Sequence, residues 1–87
     1  MNKTQNKKVV EILEEMTMLR AKLDDLGNML SEIADDVREK FDAKSERAQE
    51  SETGQKLGEE ADRLEEARDA ANDGDLVSAI DALEMLP

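Results

Sequence analysis

Cysteine, histidine, tryptophan and tyrosine are all missing from this chain of 87 residues, and Phe41 is its only aromatic side chain. The lack of Cys excludes a disulfide framework, a zinc module and a thiolate nucleophile. The lack of His removes the imidazole that most acid–base constellations use. The single Pro stands at the end, at Pro87, so none breaks a helix before it. No apolar run approaches 18 residues, which excludes a membrane-spanning helix. Lys3, Lys7 and Lys8 open the chain, but no signal-peptide apolar stretch follows them. Positive charge is scarce too, with 12 Lys or Arg against 23 Asp or Glu and a net charge of −11. At 9.7 kDa the chain is one small domain, residues 1–87. The expectation is a soluble, cytoplasmic, helical protein.

The charge is uneven. Residues 1–8 carry +3, residues 9–44 carry −5, residues 45–58 carry −1 and residues 59–87 carry −8. Such acidity repels nucleic acid and anionic membranes, which both call for basic surfaces. It suits a basic protein partner, or simply keeps a small helical protein in solution.

Apolar residues in the first half fall at Val9, Ile12, Met16, Leu19, Leu23, Leu26, Leu30, Ile33 and Val37. The alternating steps of three and four are a heptad seam running over about four heptads. Val10, Leu13, Met29 and Ala34 widen the stripe, so more than one helix should pack on it. Gly27 and Asn28 weaken the run without breaking it. The spacing predicts a first helix within residues 1–48, roughly 60 Å long. Residues 45–54 are polar and small, with Ser51 or Thr53 as the cap of a second helix over 51–73. That helix has an alanine-rich face at Leu57, Ala61, Leu64, Ala67 and Ala71. Asn72-Asp-Gly-Asp75 signals a turn, with Gly74 taking positive φ and Asp75 capping a short helix over 75–87. The predicted fold is all-α, a long N-terminal helix packed on a shorter helix–turn–helix. Its seam is longer than those helices can cover, so self-association, most simply as a two-fold homodimer, is expected through Ile12, Met16, Leu19, Leu23, Leu26, Leu30, Ile33 and Val37.

Two sets of carboxylates, Glu11-x-x-Glu14 and Glu32-x-x-Asp35, have the spacing used by all-helical nucleotide pyrophosphohydrolases around Mg²⁺. On one unbroken helix they stand about 27 Å apart and cannot share an ion. With 23 acids such spacings arise by chance, so no catalytic residue, metal site or cofactor is expected, and the chain is read as a non-enzyme.

Ala67-x-x-Ala70-x-x-x-Gly74-Asp75-Leu76-x-x-Ala79-Ile80-x-x-Leu83 resembles the middle of a tetratricopeptide repeat, but the usual aromatic of the first helix is replaced by Ala70. Arrays need several units, so this is a local helix–turn–helix. The acidic heptad helix, Phe41-Asp42, Gln49-x-Ser51-Glu52-x-Gly54 and the Ala/Leu/Glu-rich helix after them resemble small acidic helical-hairpin proteins of phages and mobile elements. That resemblance implies a helical hairpin and carries no activity. Small acidic phage proteins often inhibit host defence or DNA-handling proteins.

Glu59, Asp62, Glu65, Glu66, Asp69 and Asp73 recur three or four residues apart, so several carboxylates share one helix face about every 5–6 Å. Duplex phosphates have a comparable spacing, and such a face suits a basic nucleic-acid channel. The leading expectation is therefore an acidic protein-binding module acting as a nucleic-acid mimic. The rivals are a coiled-coil scaffold or assembly factor working through the seam, and an antitoxin-like partner of a basic protein.

Overall fold

The computed structural model describes residues 1–87 as four helices and no strands: α1 Lys3–Asp42, α2 Glu46–Glu50, α3 Glu52–Asn72 and α4 Leu76–Glu84. None is long and apolar enough to cross a membrane. Helix α1 begins with a capping box. The Asn2 side chain accepts from Gln5 N at 2.8 Å, and Gln5 returns the bond to Asn2 N at 3.0 Å.

The first helix ends at Asp42, six residues short of the predicted 48. Nothing local in Ala43-Lys44 stops it. The side-chain amide of Gln49 reaches back and donates to the Phe41 and Lys44 carbonyls at 3.1 and 3.2 Å. It supplies partners for carbonyls a terminating helix leaves open. Ser45 is extended and accepts from Ala48 N, starting α2 where a continuation of the first helix was expected. Ser51 then closes α2 and opens α3. Its hydroxyl donates to the Ala48 carbonyl at 2.5 Å and accepts from Gly54 N at 3.1 Å.

The turn after α3 follows the expected chemistry. Gly74 sits at φ +77, and the Gly74 and Asp75 amides bond to the Ala71 and Ala70 carbonyls at 3.0 and 2.8 Å. This is a Schellman closure. Asp75 caps α4 by accepting from Ser78 N at 3.0 Å and Ser78 Oγ at 2.6 Å. These two bonds hold its carboxyl below the usual aspartate value, the hydroxyl contributing most. Helix α4 stops at Glu84, leaving Met85–Pro87 outside the predicted 75–87 helix. Pro87 disfavours helical backbone at the residue before it.

Helix α3 runs antiparallel to α1. Gly58 lies against the Phe41 ring, Arg38 reaches Asp62 and Glu65, and Gly27 faces Ala71 and Asn72. The α3–α4 turn comes level with Arg20, which approaches Gly74. Seven apolar residues form the buried core, and six are alanines: Ala34, Ala61, Ala67, Ala71, Ala79 and Ala82, with Leu64. Small side chains let the helices approach closely but bury little apolar mass. Gly27, which weakens α1 as a helix, is one of these contact points. A Cβ there would lie 2.8 Å from Asn72 Oδ1.

The resulting body is a rod, 67 × 19 × 13 Å. Its radius of gyration is 18.6 Å, against about 12 Å for a compact domain of this length. The accessible surface is 6626 Å², against about 5,100 Å² for a compact monomer of this mass.

Candidate interaction site

The rod presents two surfaces of opposite chemistry. The first is the acidic face of α3. Glu59, Asp62, Glu65, Glu66 and Asp69 line one open groove with Arg63 and no apolar residue, while Asp73 lies outside it at the α3 C-cap. Most of these carboxylates are paired. Arg38 of α1 donates through Nη2 to Asp62 Oδ1 at 2.6 Å and to Glu65 Oε1 at 2.5 Å, and through Nε to the same Glu65 oxygen at 3.1 Å. The Glu65 bond, then the Asp62 bond, raises the guanidinium pKa further above its ordinary value. The guanidinium also stands 5.7 Å from the Phe41 ring centroid. Arg63 pairs with Glu66, and Arg68 with Asp69, each at 3.0 Å. Of the six acids predicted for this face, only Glu59 and Asp73 have no basic side chain within ion-pair distance.

Arg38 is the residue that reading along the chain did not single out. A faint signal for it exists. Gly27, Ala34 and Phe41 recur every seven residues as a second stripe of α1, facing α3, and Arg38 stands between its last two members. The partners are 24 and 27 residues away, so only the fold brings them together.

The second surface is apolar. All of residues 1–22 are exposed, and α1 projects past the α3–α4 turn as an arm without an opposing helix. Ile12, Met16 and Leu19 of the seam lie on this arm, exposed by 52, 62 and 67%. Val9, Val10, Leu13 and Met18 are exposed beside them. Beyond the arm the seam divides. Leu23, Leu30 and Val37 are half-buried, whereas Leu26 and Ile33 are open. There Leu23, Leu26, Met29, Leu30 and Ile33 of α1 form one wall of a groove of about 310 Å³. Leu76, Ala79, Ile80 and Leu83 of α4 form the other wall, with Ala71 of α3 between, and every lining residue is apolar.

The paired carboxylates at Glu11/Glu14 and Glu32/Asp35 remain on one continuous helix, since α1 passes through Gly27-Asn28 without interruption. Over 18 residues they are about 27 Å apart. No cluster of three or more acidic side chains has metal-binding geometry. No protein family, curated protein or solved structure matches the chain.

Proposed function

We propose that this protein is a non-enzymatic interaction module, and that its working surface is the apolar face of the α1 arm together with the α1–α4 groove. The observation that carries the reading is an all-apolar groove continuous with a helix arm whose large side chains from Val10 to Leu19 are more than half exposed. A contiguous exposed apolar surface on a small protein marks a docking site. Most helical stability in a protein comes from packing of an apolar face, which the arm lacks within its own chain, so a helix seated along it would stabilise its conformation. The module fits the role of a helical scaffold or assembly factor.

The nucleic-acid-mimic role would instead use Glu59, Asp62, Glu65, Glu66, Asp69 and Asp73 against a basic protein. Five of these acids sharing one groove favour it. Arg38, Arg63 and Arg68 count against it, because they pair with four of the six and offset three of their charges locally. The two roles differ in their response to salt. Apolar docking survives 1 M salt, where the Debye length shrinks to about 3 Å, and carboxylate docking does not.

The experiment is affinity capture by tagged protein at 0.1 and 1 M salt, counting every captured chain, untagged copies of this one included. Wild type is compared with Leu26→Asp and with a Glu59→Lys, Glu66→Lys, Asp69→Lys variant. Capture should fail only for Leu26→Asp and should persist in high salt. Capture lost on charge reversal and in high salt, but kept by Leu26→Asp, would overturn the proposal in favour of the acidic face.

A further inference from the structure

We infer that the occupant of the groove is the arm of a second copy of this chain, laid antiparallel, with the two-fold axis passing beside Ala21. This rests on the proposal that the apolar face is a docking surface, and adds what docks there and in which direction.

The arm and the groove match residue for residue. The arm presents seam positions Val9, Ile12, Met16 and Leu19, and the groove wall presents Leu23, Leu26, Leu30 and Ile33. Antiparallel pairing with residue numbers summing to 42 sets Val9 against Ile33, Ile12 against Leu30, Met16 against Leu26 and Leu19 against Leu23. Each pair joins the two complementary heptad positions, as an antiparallel seam requires. The two-fold axis repeats every pair, so both arms fill both grooves. A slip of one heptad, to a sum of 49, also makes four apolar pairs, but it sets Val9 against Lys40 and brings Glu15 beside Asp36 at flanking positions, where the register of 42 sets Val37 against Gln5 and brings Lys8 beside Asp36. The opposite slip, to 35, leaves Leu30 and Ile33 without a partner.

Charge selects the same direction. The arm's tip carries Lys3, Lys7 and Lys8, and the register of 42 lays it along Glu32, Asp35, Asp36 and Glu39 of the other copy. Lys8 and Asp36 fall at flanking positions of the seam, and Asp36 is otherwise held only by an exposed pair with Lys40 at 3.2 Å. A parallel pair would instead bring lysines to lysines and acids to acids. Near the axis Arg20 and Lys22 meet their own copies, with Asp24 and Asp25 one turn away and Asp24 already 3.5 Å from Arg20.

The area is sufficient. Each chain exposes 6626 Å², about 1,500 Å² beyond a compact monomer of its mass. A stable interface takes about 800 Å² from each partner. The overlap from residue 9 to residue 33 is about 36 Å of helix on each chain.

The absence of native cysteine makes the test clean. Met16→Cys and Leu26→Cys proteins are prepared separately, checked for helicity, and oxidised alone and as a mixture. The expected result is a disulfide-linked dimer from the mixture only, because Met16 faces Leu26 and stands about 15 Å along the axis from its own copy. Light scattering of the unmodified chain at 50 µM should give twice 9.7 kDa. A charge-based pair gives an independent readout. Lys3, Lys7 and Lys8 all changed to Glu should weaken the dimer about tenfold or more, and adding Asp35→Lys, Asp36→Lys and Glu39→Lys should restore it. A mass of 9.7 kDa, cross-linking of either cysteine variant alone, or a dimer whose mixture fails to cross-link would overturn the inference. A monomer that still captures another protein through Leu26 would leave the docking-surface proposal standing and remove only the second copy.

Discussion

Two glycine-to-alanine changes should move stability in opposite directions, and the structure sets the sign of each. Gly27 lies mid-helix, where Gly costs about 0.5–1 kcal/mol relative to Ala. A Cβ at Gly27 meets Asn72 Oδ1 at 2.8 Å and Ala71 Cβ at 3.6 Å. Asn72 is exposed, so its amide can swing aside, and the Ala71 contact is ordinary packing. Helix propensity therefore wins, and Gly27→Ala should raise Tm by about 3–8 °C for a domain of this size. Gly54 stands in the first turn of α3, where propensity matters less. A Cβ there would overlap the Ala48 carbonyl oxygen and come within 2.7 Å of the Gln49 backbone. Main chain cannot swing aside. The substitution must push α2 off α3, breaking the Ser51 cap and the Gln49 bonds that end α1. Overpacking of this kind costs about 1–3 kcal/mol, so Gly54→Ala should lower Tm by about 5 °C or more. Thermal unfolding followed by circular dichroism, at one fixed protein concentration because association shifts Tm, measures both. A clear fall in Tm for Gly27→Ala, or an unchanged Tm for Gly54→Ala, would refute the close-approach reasoning.

Ser51→Ala removes the α3 cap and the hydroxyl bond to Ala48, and should cost about 0.5–2 kcal/mol in urea unfolding. Arg38→Met leaves Asp62 and Glu65 without their partner; Arg38 is 31% exposed, so the loss should be about 1–2 kcal/mol, with Phe41 fluorescence or NMR shifts reporting the change at the ring. Asp75 has a depressed pKa in the fold, so its contribution is fully present above the ordinary aspartate value and lost as pH falls through the folded value. Melting curves from pH 6 to 2 should therefore show a loss of stability at the acid end that is smaller in Asp75→Asn. Met16→Asp should dissociate the assembly, since it leaves a charge unpaired in an apolar interface, and sedimentation in 0.1 and 1 M salt reads the result.

What was legible in the sequence is what neighbours decide. The seam from Val9 to Val37, the Ser51 cap, the positive φ at Gly74 and the Asp75 cap each depend on residues within a turn or two. So did the alanine face of α3, whose small residues became the core. The end of α1 at Asp42 was not legible, because Gln49 imposes it from outside the helix. Nor was the pairing of most acids on the acidic face. Glu59 to Asp69 read as a run of like charge, and the guanidinium that binds two of them comes from Arg38 across the hairpin. Gly27 read as a flaw in α1, and its use appears only once Ala71 lies against it. The seam itself read as one surface; the fold divides it into an arm and a groove wall of equal length.

The most direct measurement is the distance between two copies of one spin label at Thr4→Cys, by pulsed electron resonance. Thr4 is exposed near the tip of the arm, and the chain has no other cysteine. Antiparallel pairing in the register of 42 separates the two Thr4 positions by 34 residues of helix, about 50 Å. A narrow distribution centred there is the predicted result. A separation under about 20 Å, as two parallel helices 8–10 Å apart would give, or no dipolar coupling at all, would contradict it.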